Sequence, residues 1–147
     1  MAKINGFDFP DDCYFHRDHM YIRIEAGTAR VGYNACSQNA AGKVLFLRTR
    51  SVGSKVDQGK TLGTLESGKW VGPLKAPVSG TITQLNEEVA KKPSLINEAP
   101  YGRGWIAVLE PTKLEEEIKE LIRGSDDKLL REWISEEKKK YGIRGNE

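Results

Sequence analysis

The chain has 147 residues, 38% of them hydrophobic and 30% charged, and a formal net charge of +2. That length allows one domain with a sizeable core plus a small appendage, at an ordinary soluble globular balance. So small a net charge gives no electrostatic case for nucleic acid or an anionic membrane. The N-terminal residues lack an uninterrupted apolar h-region, and no later stretch approaches a membrane span. Two cysteines, Cys13 and Cys36, are too few for a secreted disulfide scaffold, which points to a cytoplasmic location.

Residues 1–13 read as an N-terminal arm closing in the turn Phe9-Pro10-Asp11-Asp12. Tyr21 to Glu25 alternates apolar and charged, as a half-buried strand does; Ala26-Gly27-Thr28 supplies a turn and Ala29 to Tyr33 the return strand. Asn34 is placed to cap a short helix that Gly42 stops. Val44-Leu45-Phe46-Leu47 is a continuous apolar run of strand length, expected to be buried on both faces. Turns around a very short strand fill residues 52–60. Thr61 to Leu65 then has the make-up of a strand, and Gly72-Pro73 reads as a turn. Between them Glu66-Ser67-Gly68-Lys69-Trp70 forms a tight hairpin that holds the Lys69 amine out in water.

Further strands are expected at residues 80–86 and 105–109, with one helical turn before Pro93 and a loop over residues 97–102. At Pro111 the character changes. Thr112 and Glu115 match a capping box, with Leu114, Ile118, Leu121 and Ile122 on one helical face up to Gly124. A second helix starts at Ser125 or Asp126, turns Leu129, Leu130, Trp133 and Ile134 inward, and ends in Lys138-Lys139-Lys140, a cationic run that suits the helix dipole. The sum is a mainly β protein, a flattened β-sandwich or barrel-like fold at 14–111 with short helices, followed by a C-terminal helical pair at 112–147. No catalytic triad or metal-ligand spacing is present; His16 and His19 would face opposite sides of a strand.

The turns at Gly53-x-Lys-Val and Gly59-x-x-Leu62, the lysine hairpin, and Ala76-Pro77-Val78-Ser79-Gly80 resemble lipoyl and biotinyl carrier domains. Biotin carriers flank their lysine with methionines, whereas here the neighbours are Gly68 and Trp70. The likeness continues through Val31-Gly32, Gln38, Val44, Asn86-Glu87, Leu95-Ile96-Asn97, Pro100-Tyr101 and Gly104-Trp105, and over roughly 14–122 the chain is similar to the glycine cleavage H protein family. That resemblance implies a lipoylated hairpin lysine at Lys69, and a carrier that is a substrate for several enzymes without being a catalyst. A lysine suits the task because its amine, protonated near neutral pH (reference pKa about 10.4), loses its charge when it becomes an amide. Glu66 and Ser67 match family positions and are expected to help a lipoate ligase or lipoyl transferase recognise the hairpin. Trp70 either covers the sandwich or stands out as an anchor for a partner.

Departures from the family pattern bear on cargo. In glycine cleavage the loaded arm folds into a polar cleft, where a cationic aminomethyl group needs acidic or imidazole partners. Here Met20 stands in place of a carboxylate, Cys36 in place of a histidine, and Pro73 in place of an aspartate; the usual Ser-Val-Lys-Ala has become Ser67-Gly68-Lys69-Trp70. These changes resemble the lipoate-binding branch of the family that serves a heterodisulfide-reductase-like complex in cytoplasmic sulfur oxidation. Soft Met20 and Cys36 side chains would suit uncharged sulfur cargo; Cys36 itself reads as a buried small hydrophobe at the end of a short helix, the other reading being an accessible thiolate that exchanges with the dithiolane. The alternatives are an aminomethyl carrier serving the glycine decarboxylase, aminomethyltransferase and dihydrolipoamide dehydrogenase, a lipoyl relay protein, or a non-lipoylated interaction module. A monomer that docks transiently is expected.

Overall fold

A computed structural model describes residues 2–4 and 6–141; the side chains of residues 138–141 and the segment 142–147, part of the expected C-terminal cap, lie outside the described residues. Two short strands, β1 (Ala2–Ile4) and β2 (Phe7–Phe9), pair as a hairpin at the N-terminus. β3 (Cys13–Phe15), β4 (Met20–Glu25) and β5 (Thr28–Tyr33) follow as an antiparallel meander. After α1 (Ala35–Ala41) come β6 (Val44–Thr49), β7 (Lys55–Val56), β8 (Thr61–Ser67), β9 (Val71–Lys75) and β10 (Gly80–Leu85). Then α2 (Glu87–Lys91), α3 (Leu95–Glu98), β11 (Ala107–Pro111), α4 (Leu114–Glu117), β12 (Ile122–Arg123) and α5 (Asp127–Tyr141) complete the chain.

These strands form a seven-stranded sheet in the order β12-β3-β4-β5-β11-β10-β7 and a three-stranded sheet in the order β6-β8-β9. The architecture is mainly β, an open sandwich with short helices, as the strand pattern predicts. The larger core holds Met20, Ile22 and Val31 from the first sheet together with Leu62, Leu65 and Leu74 from the second. Period-2 alternation turns the intervening Tyr21 of β4 to the opposite face. There a smaller core of Phe9, Cys13, Phe15, Cys36, Ile122 and Trp133 gathers under the N-terminal hairpin and α5. Phe9 meets Phe15 edge-on with ring centres 5.1 Å apart, and His19 stacks on Trp133 at 6.2 Å. Tyr21 lies across Gly32, its register partner, where any Cβ would overlap the ring, and its hydroxyl donates to Pro100 O.

Three expectations are corrected here. The apolar run 44–47 is not buried on both faces. The ladder passes from Val44–Ser67 directly to Phe46–Glu66, so Leu45 is an extra residue in a β-bulge. A bulge resets the alternation, leaving Val44 buried and Leu47 half-buried while Leu45 and Phe46 face solvent. Gly72-Pro73 is not a turn but part of β9, an edge strand where the missing proline N–H breaks no ladder bond. The first helix expected beyond Pro111 shrinks to the single turn α4 and a 3₁₀ turn over Ile118–Glu120. Thr112 does not cap it; Lys113 holds the cap position without a side-chain bond. The cause is tertiary: Leu121 enters the larger core and its neighbour Ile122 the smaller one, which only an extended chain allows, and Ile122 pairs with Phe15. Glu117 anchors the turn, its carboxylate accepting from Ser79 N (2.7 Å) and Ser79 Oγ (2.6 Å). The second helix forms as expected, with Asp126 Oδ1 accepting from Leu129 N at 3.1 Å and Leu130, Trp133 and Ile134 buried. The tripeptide Lys138-Lys139-Lys140 lies within α5, its side chains outside the described ones.

The β4–β5 hairpin turns on two residues with positive φ, Ala26 (48°) and Gly27 (80°). Alanine carries a steric cost in this region that asparagine, favoured at the first position of such turns, relieves. Ala26→Asn is therefore expected to stabilise the fold by about 0.5–1 kcal/mol, read as a higher urea midpoint with an unchanged slope.

Candidate functional site

β8 and β9 close at Ser67–Trp70, where Ser67 N donates to Trp70 O at 2.8 Å. Gly68 and Lys69 are the two central residues of this turn, and both are exposed. Among the described residues no hydrogen bond or ion pair engages the Lys69 ammonium. Its aliphatic stem lies over Gly42, the residue that ends α1: a Cβ built on Gly42 would stand 2.8 Å from Lys69 Cε. Gly42 also has φ +85°, so the position suits glycine on both counts. A shallow depression of about 380 Å³ opens beside the stem, lined by Gly42, Lys43, Leu45, Gly68 and Lys69.

The turn is tied to the body of the protein at its base. Ser67 is buried, and its hydroxyl donates to Ala41 O at 2.5 Å while accepting from Lys69 N at 3.3 Å. Asn97 of α3 holds the same segment from the other side. Its Oδ1 accepts from Val44 N at 2.8 Å, and its Nδ2 donates to Gly42 O at 2.8 Å and Gln38 Oε1 at 2.9 Å. Residues 41–44 are thus clamped between hairpin and helix, which gives Lys69 a fixed base. The sequence marks Asn97 as the start of a loop and as part of the family motif; the structure sets it in α3, and a lone asparagine there carries no local signal for this clamp.

The structure brings some of the expected site residues together and separates others. Glu66, Ser67, Gly68, Lys69 and Trp70 share the hairpin. Glu66 is half-buried on the outer face of the three-stranded sheet, in register with Phe46 and Val71. Trp70 packs its ring over Gly72 and is 37% exposed. Pro73 stands on the same outer face, opposite Thr64. Met20 and Cys36 do not reach the surface beside Lys69: Met20 is sealed in the larger core and Cys36 in the smaller. Both cysteines are free. Burial pushes the Cys36 thiol up to about 11 and the Cys13 thiol up to about 12. An exchanging thiolate at Cys36 is thus absent near neutral pH.

Ser67→Ala leaves the Ala41 carbonyl without its donor and is expected to cost about 1–2 kcal/mol; Asn97→Ala, which orphans groups on both Gly42 and Val44, about 2–3 kcal/mol, each measured by urea unfolding. The thiols give a separate check. An exposed thiol reacts faster with iodoacetamide as pH rises through about 8.5, whereas Cys13 and Cys36 are expected to stay unmodified across that range until the protein is unfolded.

Comparison with known proteins places this geometry. The family model described as glycine cleavage H-protein matches residues 13–137. Glycine cleavage system H protein 2 of Aquifex aeolicus is 39% identical over 140 residues, covering 93% of this chain and 87% of that protein. A protein of Sulfolobus acidocaldarius named probable glycine cleavage system H protein 2 is 40% identical over 136 residues, covering 89% of this chain and 91% of its own. The crystal structure of a glycine cleavage system H protein from Mycobacterium marinum superposes with a TM-score of 0.74 at 31% identity, over 87% of this chain and 98% of that one. With a hairpin lysine on an open β-sandwich and likeness along nearly its whole length, the chain belongs to the glycine cleavage H-protein family.

Proposed function

We propose that this protein is a lipoyl-lysine carrier and that Lys69 is the attachment point. The family is one of lipoyl carriers rather than catalysts. The observation that carries the assignment is the state of Lys69: an exposed ammonium on a braced turn, with no ion-pair partner among the described residues. The surroundings fit a long acyl chain. Leu45 and the backbone of Gly42 and Gly68 give it an apolar bed, and no carboxylate stands among the residues lining the depression. When bound, lipoate supplies a dithiolane that is reduced, loaded and reoxidised by partner enzymes. The chain's own part is positional. Acylation forms the amide N–C bond as the activated carboxyl loses its leaving group, and the amine gives its proton to solvent. Ser67 and Asn97 hold the turn so that the amine is met in one geometry, which lowers the ordering cost of each encounter.

For cargo we read sulfur intermediates of a heterodisulfide-reductase-like system ahead of the aminomethyl group. A cationic cargo resting beside Lys69 would meet the Lys43 ammonium and apolar Leu45, with neither carboxylate nor imidazole in the lining. The matched relatives are numbered as second H proteins, which supports more than one such carrier per organism. The aminomethyl reading stands as the alternative.

Intact mass of natively produced protein is expected to carry one lipoyl amide, mapped to residue 69 and absent from Lys69→Arg, which keeps the stem and the charge. An unmodified wild-type chain, or an adduct that survives the substitution, overturns the carrier assignment. On the sulfur reading, the lipoylated protein should support little exchange of bicarbonate into the glycine carboxyl with glycine decarboxylase. Full exchange activity would return the cargo to aminomethyl.

A further inference from the structure

The large hydrophobic side chains that stand exposed among the described residues are Leu45, Phe46, Val52, Trp70 and Val71, and all of them fall within residues 43–75. Phe46 is 62% exposed and Val71 61%. Strand register sets Phe46, Glu66 and Val71 in one row across β6, β8 and β9, and Arg48, Thr64 and Pro73 in the next. A groove of about 450 Å³ runs over Phe46, Arg48, Thr64 and Glu66. Single exposed hydrophobics need no explanation, but Phe46 and Val71 stand in one row on one face, either side of Glu66. The bulge at Leu45 is the device that turns two consecutive apolar residues outward.

Charge is segregated in the same way. Residues 43–75 contain seven Lys and Arg against two acids, Asp57 and Glu66, while the rest of the chain is net negative. The Lys and Arg ion pairs among the described residues lie elsewhere: Lys3–Asp8, Arg23–Asp12, Arg30–Glu25, Lys92–Glu98, Arg103–Glu88 and Arg131–Asp127. The cations of residues 43–75, of which Arg48 stands beside the apolar row and Lys55 on the other sheet, thus have no ion-pair partner among the described residues.

We propose that the outer face of the β6–β8–β9 sheet is the docking surface for the enzyme that acylates Lys69, and that this enzyme presents an apolar patch rimmed by carboxylates. The inference rests on the lipoyl-carrier reading. The turn bearing Lys69 joins β8 to β9, so an active site that takes the amine also meets the strands beneath it. Apolar residues at the centre of such a patch supply affinity, and charges at its rim supply orientation and rate. The basic character of the stretch selects an acidic partner. Glu66, in the middle of the row between Phe46 and Val71, sets this face against a phosphate backbone.

The test uses unmodified full-length protein and a purified lipoate–protein ligase. Affinity is measured by titration calorimetry, and acylation of residue 69 by intact mass. Phe46→Ser and Val71→Ser are each expected to raise Kd and KM about tenfold with kcat little changed. Arg48→Glu is expected to weaken binding similarly at low salt, and to flatten the loss of affinity that wild type shows between about 0.05 and 0.3 M salt. Lys128→Glu on α5, an equal charge reversal on another element, should leave both constants at wild-type values. All of these positions are exposed, and melting temperature checks that the fold is kept. Unchanged Kd and KM in the three face variants overturn the proposal while leaving the carrier reading intact. A wild-type chain that accepts no acyl group on Lys69 overturns both. A dimer that Phe46→Ser abolishes, with ligase affinity unchanged, would assign the face to a second copy and likewise overturn the proposal.

Discussion

The hydroxyl of Ser67, donating to the carbonyl of Ala41, fastens the lysine hairpin to the end of α1. A two-stranded hairpin alone is at best marginally stable in water, and a turn at its tip would wander. Here the base of the turn is stitched to a segment that Asn97 already holds by both a donor and an acceptor. Gly42 then lets the Lys69 stem lie against the backbone, where any side chain would displace it. Residues from β8, α1, β6 and α3 thus converge on one short segment, and the orientation of a single amine follows from their combined hydrogen bonds.

Two cores divide the remaining work. The larger one lies between the sheets and fixes β8 and β9 through Leu62, Leu65 and Leu74. The smaller one, on the far side of β4, gathers the aromatic residues, both cysteines and α5. Cys36 and Met20 differ from the usual family residues, and their burial gives the differences a packing reason. A carboxylate at residue 20 would sit unpaired among aliphatic side chains at a large desolvation cost. The sulfur chemistry proposed for this carrier therefore draws no support from a soft-lined cleft. It rests on what surrounds Lys69 at the surface.

Much of this was legible in the chain itself, because local signals and tertiary demands agree there. Asn34 and Gly42 bound α1 as capping chemistry requires, alternation marked β4 and β5, and the lysine hairpin stood out between two strands. The failures share one cause: a local pattern that a longer-range contact overrode. Leu114, Ile118, Leu121 and Ile122 keep a helical spacing, yet Leu121 and Ile122 are claimed by different cores, and strand pairing with Phe15 wins. The run 44–47 looked fully buried because periodicity does not reveal a bulge. Pro73 looked like a turn because nothing nearby in sequence says that β9 is an edge. The Asn97 clamp joins residues more than fifty positions apart, so no window on the chain contains it.

The segregation of charge has a consequence for the order of events on the proposed reading. Before modification, the cations of residues 43–75, Lys69 among them, attract an acidic partner. Amide formation removes the charge at residue 69 and leaves the others, so the acylated product binds that partner less strongly than the substrate did, by the attraction of one exposed charge. In water that is a modest difference, but it has the right sign: it favours release of the product over rebinding. Enzymes that act later meet the same apolar row with one cation fewer and a long acyl chain in its place. They gain by gripping the chain and the row, and less by charge. On this reading, a carrier whose cations near the modified lysine have no ion-pair partner among the described residues is recognised by its first enzyme through charge and by later ones through shape, with no change in its fold.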